Sequence, residues 1–269
     1  MSSQTITTQT PRVSADLPPD TSPVAVKLER VTKVFNDAAG VPPVLQELSL
    51  RVSAGEFVCL LGASGCGKST LLNLVAGLET PTSGSIEVPG GKTALMFQES
   101  ALFPWLTAGK NIELALRLAK VPKSEWASEI ERLLDLVHLS GQADKRVHEL
   151  SGGMRQRVAL ARALAQRARI LLMDEPFAAL DAITRDVLHE ELYRIWREAD
   201  LTVIFVTHNV REAVRLGQRV QLMSSRPGMF VRQWRVDIDG PRRIESPAVS
   251  ALSAEITEDL RREIRRHGR

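Results

Sequence analysis

Three continuous apolar runs stand out along the chain, at residues 57–62, 170–173 and 203–206. Runs of this length, which do not alternate with polar positions and are separated by segments of helical spacing, are typical of strands buried on both faces of a parallel sheet. Each run is followed by a glycine-rich or polar segment. Because α/β sheets bind ligands at the carboxyl ends of their strands, we expect the functional residues at these ends.

A helical pattern fills much of the chain between the first two runs. Apolar residues recur at helical spacing in residues 107–120 and 123–139, and the second segment offers Ser124 as an N-cap. Its predicted apolar stripe consists of Trp126, Ile130, Leu133, Leu134 and Val137. We therefore predict a helical subdomain at about residues 99–150, inserted in the α/β core.

The rest of the pattern divides the chain into three parts. Residues 1–24 are rich in Ser, Thr, Pro and Gln, which predicts a disordered tail. Residues 25–239 are predicted to form the folded domain, with an edge strand at 25–34 and, after the third apolar run, a short helix and two strands around an Arg-Pro-Gly turn. Residues 240–269 are expected to form a loop and a terminal helix.

Composition narrows the class of protein. With 43% apolar residues in a chain of 269, a large core can be buried. The 35 basic and 32 acidic residues are nearly balanced, which argues against a nucleic-acid surface. The basic C-terminal end fits either a solvated helix end or a contact with a membrane or partner. Two cysteines without metal spacing, no apolar run long enough for a membrane span and no signal sequence predict a cytoplasmic protein.

The sequence GASGCGKST at residues 62–70 matches the phosphate-binding loop G-x-x-x-x-G-K-S/T, between a predicted strand and a predicted helix. Glycines let backbone N–H groups curl around phosphates, Lys68 would reach the β and γ oxygens, and the Ser69 hydroxyl would bind Mg²⁺. The alternative is a glycine-rich turn without nucleotide, which the strand and helix context disfavours. The predicted nucleotide-binding residues of the loop are Gly62, Ala63, Ser64, Gly65, Cys66, Gly67, Lys68, Ser69 and Thr70.

Polar side chains follow the second and third apolar runs. Asp174 stands where nucleotide sites hold Mg²⁺, and the adjacent Glu175 can orient or deprotonate an attacking water. The alternative for this acidic pair is a capping turn, and a lone histidine such as His208 more often has a structural role. Because all three would meet at one edge of the sheet, we favour a nucleotide site there.

Six motifs, in this order over about residues 26–238, resemble the ATP-binding subunit of ABC transporters. They are GASGCGKST (Walker A), Gln98 in MFQES (Q-loop), LSGGMRQR (signature), ILLMDEP (Walker B), ALD at residues 179–181 (D-loop) and His208 (H-loop). The resemblance implies an α/β fold, a P-loop NTPase core with a mostly parallel sheet, an N-terminal antiparallel β subdomain and an inserted helical subdomain. It also implies an ATPase that uses ATP and Mg²⁺.

The resemblance assigns roles on the ATP-binding side of the site. Gln98 would sense the γ-phosphate and the metal, and Asp174 would position Mg²⁺. Glu175 would act as general base on water, with His208 supporting the γ-phosphate. Phe35 would stack on adenine, the alternative being a core aromatic on an edge strand. The triphosphate and Mg²⁺ would be held by Lys68, Ser69 and Thr70.

The resemblance further implies that the active site is shared between two chains. In the family two domains pair head to tail, and the signature of one closes over the ATP of the other. Ser151, Gly152 and Gly153 would thus touch the γ-phosphate held by a second copy. A helix beginning near Met154 would direct its positive N-terminus at that charge, and Asp181 would cross the interface. A lone chain would hydrolyse ATP slowly or not at all.

Within the family, the motifs look most like those of importers of nitrate, taurine and aliphatic sulfonates, although Ala178 and Ala179 depart from that group. The expected partners are a second, identical ABC subunit, permease subunits and, indirectly, a solute-binding protein, with no nucleic acid. This places the chain at the cytoplasmic face of the inner membrane. The apolar stretch around Phe103, Pro104 and Trp105 is either core or the groove for a permease helix. The alternative function is a non-transport ABC ATPase acting on ribosomes or DNA.

The two cysteines are expected to differ in reactivity. Cys66 lies inside the phosphate-binding loop, so we expect a maleimide to block hydrolysis and bound ATP to slow the labelling. Cys59 lies in the first apolar run and is expected to be an inert, buried strand residue.

Overall fold

The computed structural model describes residues 23–35, 41–178, 180–238, 242 and 246–267. Its strands are β1 (Val24–Lys33), β2 (Leu45–Ser53), β3 (Phe57–Gly62), β4 (Ser83–Glu87), β5 (Thr93–Met96), β6 (Ile170–Asp174), β7 (Thr202–Thr207), β8 (Arg219–Met223) and β9 (Phe230–Arg235). Its α-helices are α1 (Lys68–Val75), α2 (Ala108–Leu118), α3 (Trp126–Leu136), α4 (Gly152–Ala165), α5 (Ala182–Glu198), α6 (Val210–Leu216) and α7 (Pro247–His267). The predicted disordered tail lies almost wholly outside the described residues.

The three apolar runs form neighbouring strands in a six-stranded sheet of order β5-β6-β7-β3-β8-β9. β9 runs antiparallel to β8, and the other pairs are parallel. Every residue of β3, β6 and β7 is buried, because helices cover one face of these strands and α1 with the antiparallel sheet described below covers the other. Cross-strand pairing of Leu61 with Thr207 and of Asp174 with Val206 brings the three carboxyl ends level. The predicted α/β fold with a mostly parallel sheet is confirmed.

A second, antiparallel sheet has the order β2-β1-β4. β1 therefore lies in the middle of this sheet, and the prediction that it is an edge strand was wrong. Its second partner is β4, which begins some fifty residues further along the chain and consists of the mostly exposed residues SGSIE. A short polar strand carries no alternating apolar signal, so the pairing is invisible in the local pattern.

Two helices, α2 and α3, lie between β5 and α4. Thr107 caps α2 by accepting a hydrogen bond from the Lys110 backbone N at 3.2 Å. The predicted stripe of α3 packs on the core, with Leu133, Leu134 and Val137 fully buried. Ser124 is not its N-cap, because a 3₁₀ turn occupies Lys123–Glu125 and the helix begins at Trp126.

The predicted C-terminal helix is present as α7. Val249 and Ile256 on its inner face are fully buried. Arg232 of β9 binds it through Asp259 and through Glu255 at 2.8 Å. Arginines on its outer face are exposed and paired with acids of the same helix. None of the helices in the described ranges is both long and apolar enough to cross a membrane.

Candidate active site

The phosphate-binding loop connects β3 to α1. Gly67 has φ of 95°, and a Cβ there would lie 2.4 Å from Cδ2 of Leu45, so only glycine fits. Ser64 and Gly65 are exposed at the tip, and no acidic residue occupies the first turn of α1. The first N–H groups of α1 have no acidic side chain beside them, which suits this helix start to bind an anion.

Lys68 is buried beneath this loop. Only 6% of the residue is exposed, and its Nζ donates to the backbone oxygens of Gly62 and Ala63, each at 2.9 Å. These bonds hold a positive charge under the ring of backbone N–H groups. The arrangement is suited to binding phosphate oxygens.

Cys66 faces the protein interior, contrary to the expectation of a reactive loop thiol. Its side chain is 1% exposed, and its Sγ lies 3.8 Å from the Lys68 Nζ. Burial raises the pKa of the Cys66 thiol, an effect that the Lys68 charge only partly offsets. Cys59 in β3 is buried as predicted, and burial raises the pKa of its thiol as well.

We now expect the folded chain to resist a maleimide, because neither thiolate is accessible or favoured. Mass spectrometry should find both thiols unmodified in the native protein and both labelled in denaturant. Rapid labelling of the folded chain with parallel loss of ATP hydrolysis would restore the original expectation for Cys66.

Asp174 and Ser69 meet at the end of β6. Burial raises the pKa of the Asp174 carboxyl, and the Glu175 charge raises it further, whereas a hydrogen bond from Ser69 and the Lys68 charge lower it. In the described ranges, no group of three or more His, Cys, Asp or Glu side chains is arranged to hold a metal. One carboxylate and one hydroxyl, with phosphate oxygens completing the shell, is a donor set that suits Mg²⁺.

Glu175 and His208 form a pair across the ends of β6 and β7. The Glu175 Oε2 lies 2.9 Å from the His208 Nδ1, and their side chains are 18% and 65% exposed. Glu175 has φ of 44°, and its backbone N donates to the Val206 oxygen at 3.0 Å. A non-glycine residue in this conformation carries strain of about 1–3 kcal/mol and is found preferentially at functional sites.

Gln98 is exposed beyond the end of β5. Its backbone oxygen accepts a hydrogen bond from the Nε2 of Gln156 in α4, at 2.5 Å. Gln156 is 6% exposed and was missed in the sequence, since a polar residue within a helical motif gives no sign of its partner. The contact joins the Gln98 loop to α4, the helix whose first turns carry the signature.

The signature forms the start of α4. Ser151 is its N-cap, accepting from the Met154 backbone N at 3.2 Å, so the helix begins at Gly152, two residues earlier than predicted. A Cβ on Gly152 would meet nothing within 4 Å. Glycine costs a helix about 1 kcal/mol relative to alanine, and the packing of this chain does not require it. In the described part of the chain, residues 151–153 make no hydrogen bond to the phosphate-binding loop.

Asp181 is the N-cap of α5. Its Oδ1 accepts from the Thr184 backbone N at 2.9 Å, and this bond lowers the pKa of the Asp181 carboxyl. The side chain is exposed, so it stays negatively charged at the surface. Ala179, in the same predicted motif, lies outside the described residues.

Phe35 lies just beyond the end of β1 and is 57% exposed, which rules out the alternative of a core aromatic. The Lys33 Nζ stands over its ring, 4.8 Å from the centroid. The Lys33 backbone oxygen accepts from the Val44 N, and Val44 and Leu45 contact the loop at Gly67. The aromatic face is thus presented near the phosphate-binding loop.

The stretch around Trp105 is partly core and partly exposed. Leu102 is buried in the core, whereas Trp105 is 73% exposed. The Phe103 and Trp105 rings lie 5.5 Å apart, and the Arg162 guanidinium stands over Phe103 at 5.8 Å. We call Phe103, Pro104 and Trp105 the aromatic surface.

The chain is similar to known proteins in sequence and in structure. A family profile described as ABC transporter matches residues 45–178. The nitrate import ATP-binding protein NrtD of Synechocystis sp. (strain PCC 6803) is 43% identical over 222 residues, covering 80% of this chain and 84% of that protein. The bicarbonate transport ATP-binding protein CmpD of the same organism is 44% identical over 209 residues, 74% of each chain. A solved dimeric, post-hydrolysis structure of the ATP-binding cassette MJ0796, bound to ADP and Pi, superposes with a TM-score of 0.73 at 32% identity, covering 80% of this chain and 100% of that one.

Proposed function

Because the chain belongs to the ABC transporter family and is an ATPase, we propose that two copies of it share two ATP molecules and drive a separate membrane permease. One observation supports this proposal: the residues proposed to bind ATP follow the carboxyl ends of β3, β6 and β7, while residues 151–153, within the described part of the chain, make no hydrogen bond to the phosphate-binding loop. The packing of this chain does not require a glycine at residue 152, and close approach of the second copy would explain it. The proposed folded unit is residues 25–239, with residues 240–269 as an extension.

The chemistry proposed is phosphoryl transfer from ATP to water. Lys68 and the N–H groups of the loop bind the phosphates, with Phe35 stacked on adenine. Ser69 and Asp174 would hold Mg²⁺, which would neutralise charge on the β- and γ-phosphates. Gln98 would contact the same ion. The remaining loop and first-turn residues, from Gly62 to Thr70, complete the cradle.

Glu175 is proposed as the general base. A carboxylate only accepts hydrogen bonds, so the proton between it and His208 resides on the His208 Nδ1. This bond orients the carboxylate toward the attacking water. An imidazolium at His208 can at the same time donate from Nε2 to the γ-phosphate, which would stabilise the charge that develops there.

The second copy supplies the signature in this proposal. The N-terminus of α4, with Ser151, Gly152 and Gly153, directs its positive end at the γ-phosphate of the partner chain. The exposed Asp181 carboxylate lies at the start of α5, from where it would cross the interface and couple the two sites. The dimeric state of the structural neighbour supports this arrangement.

The aromatic surface is the proposed docking site for the permease. Its two rings and the exposed face of Trp105 offer the kind of aromatic anchor that dominates binding energy at interfaces. The names of the two relatives, one for nitrate import and one for bicarbonate transport, favour import of a small solute. The proposed cargo is nitrate, taurine, an aliphatic sulfonate or a similar small solute. The permease and an associated solute-binding protein would select the cargo, and the chain would work at the cytoplasmic face of the inner membrane.

Affinity purification from detergent-solubilised membranes tests this function. We expect the full chain to retain a multi-span permease, and Trp105→Ala to weaken that association by about 2 kcal/mol or more. Leu118→Ala is the matched control, because Leu118 is also exposed (72%) but lies away from the aromatic surface, on the C-terminal turn of α2. Recovery with ribosomes or DNA instead of a permease would favour the alternative, a non-transport ABC ATPase.

A further inference from the structure

A buried chain of polar groups lies behind His208. The His189 Nε2 is 2.6 Å from the Glu212 Oε1, and the other oxygen of that carboxylate accepts from the Thr207 hydroxyl. The Thr207 Oγ1 in turn accepts from the Asn209 backbone N at 3.0 Å. His189, Glu212 and Thr207 are 3%, 8% and 2% exposed, so all three are withdrawn from water.

These bonds fix the backbone on both sides of His208. Thr207 precedes His208 and Asn209 follows it. The Thr207 hydroxyl accepts from the Asn209 backbone N and donates to the Glu212 carboxylate. The His208 side chain is itself mostly exposed, with its bond to Glu175 as its anchor. Its position is therefore set largely by the backbone on either side of it, which the Thr207 hydroxyl ties to Glu212.

The same chain reaches the Glu175 segment from the other side. The Phe177 ring, which follows Glu175 by two residues, meets the His189 ring edge-on with centroids 5.2 Å apart. Phe177 is 2% exposed, and its backbone oxygen accepts from the Arg185 Nε. His189 thus contacts the Glu175 segment through Phe177 and is linked to the His208 segment through Glu212.

We propose that His189 and Glu212 are positioning residues that hold His208 in register with Glu175 through the Thr207 hydroxyl. This inference rests on the proposed role of His208. His189 belongs to α5, the helix that Asp181 caps, so the chain also joins that helix to the site. Neither side chain touches the nucleotide in this proposal.

The positions of the protons on the His189 ring indicate which substitution at this residue is conservative. Because Glu212 accepts, the His189 Nε2 donates, while its Nδ1 has no hydrogen-bond partner. The nearest acid to Nδ1 is Asp186 at 4.0 Å, and that carboxylate is held by Arg215 at 2.6 Å. A neutral N–H donor is sufficient at this place, and a glutamine amide can supply one at similar reach.

Steady-state ATP hydrolysis by the full chain, with Mg²⁺ and ATP at protein concentrations that support pairing, tests the proposal. We expect His189→Leu to lower kcat on the order of 10–100-fold, because small misplacements of reacting groups have effects of this size. The KM for ATP should stay nearly unchanged. His189→Gln should keep most of the activity, and Thr207→Val, which removes only the connecting hydroxyl, should lose it as His189→Leu does.

A double-mutant cycle with His208→Ala separates positioning from a general structural role. If His189 acts through His208, His189→Leu causes no further loss of kcat in the His208→Ala background. Val214→Ala, a fully buried packing change in α6, serves as the stability control and should leave kcat unchanged.

Four outcomes would overturn the inference. If the losses of kcat in the two single mutants multiply in the double mutant, or if His189→Leu has full activity, this inference fails while the proposed role of His208 stands. Full activity in His208→Ala would overturn the proposed role of His208 as well. If His189→Leu does not fold, Thr207→Val and His189→Gln carry the test, and equal activity in these two variants would contradict it.

Discussion

Glu175→Gln is expected to lower the rate of ATP hydrolysis at least about 100-fold while ATP still binds, because general-base catalysis contributes at least this much. The amide has the same shape as the carboxylate and can still accept a hydrogen bond from the His208 Nδ1, now 2.9 Å from the carboxylate. It cannot take a proton from water. Phosphate release measures the loss, and chains paired around unhydrolysed ATP should accumulate.

Glu198→Gln is the matched control for this variant. Glu198 is 63% exposed at the end of α5 and pairs with Arg194 on the same helix, so its charge is distant from the chemistry. Its replacement should leave hydrolysis unchanged. Normal turnover in Glu175→Gln would refute the assignment of Glu175 as the base.

A mixture of two inactive variants, Lys68→Ala and Ser151→Arg, is expected to regain activity. Lys68→Ala removes the ammonium under the phosphate-binding loop, and Ser151→Arg fills the start of α4. In a mixed dimer, one site combines the intact loop of the Ser151 variant with the intact signature of the Lys68 variant. Each mixed dimer has one of its two sites intact, so a substantial fraction of the normal activity, at most about half, should return.

A mixture of Lys68→Ala with Glu175→Gln is the control. Both residues lie on the ATP-binding side of one chain, so no pairing restores a complete site. Recovery in this mixture, or none in the first, would mean that the site is not divided between chains as proposed.

Local pattern was sufficient for the three central strands that carry the site. The strands β3, β6 and β7 are buried on both faces, so each appears in the sequence as an unbroken apolar run. Their level ends explain why Asp174 and Glu175 meet Ser69 and His208. The position of β1 was not predictable, because its second partner β4 is short and polar.

Side-chain environment was the part that the sequence could not provide. Cys66 belongs to the loop motif, yet its thiol turns inward, and only the packing reveals this. His189 and Glu212 look like ordinary polar residues of helices α5 and α6. Their contact joins residues 23 positions apart, and such pairing depends on how two helices dock on a strand end rather than on any local spacing.

Sedimentation of the Glu175→Gln chain with ATP, with and without Ser151→Arg, tests most directly whether two copies share each ATP. Ser151→Ala is the control, since it loses the helix cap, worth about 1 kcal/mol, without adding bulk. We predict that Glu175→Gln and its Ser151→Ala derivative sediment as dimers when ATP is present. The Ser151→Arg derivative should stay monomeric, and ATP-driven dimerisation that is unaffected by Ser151→Arg would contradict the shared site.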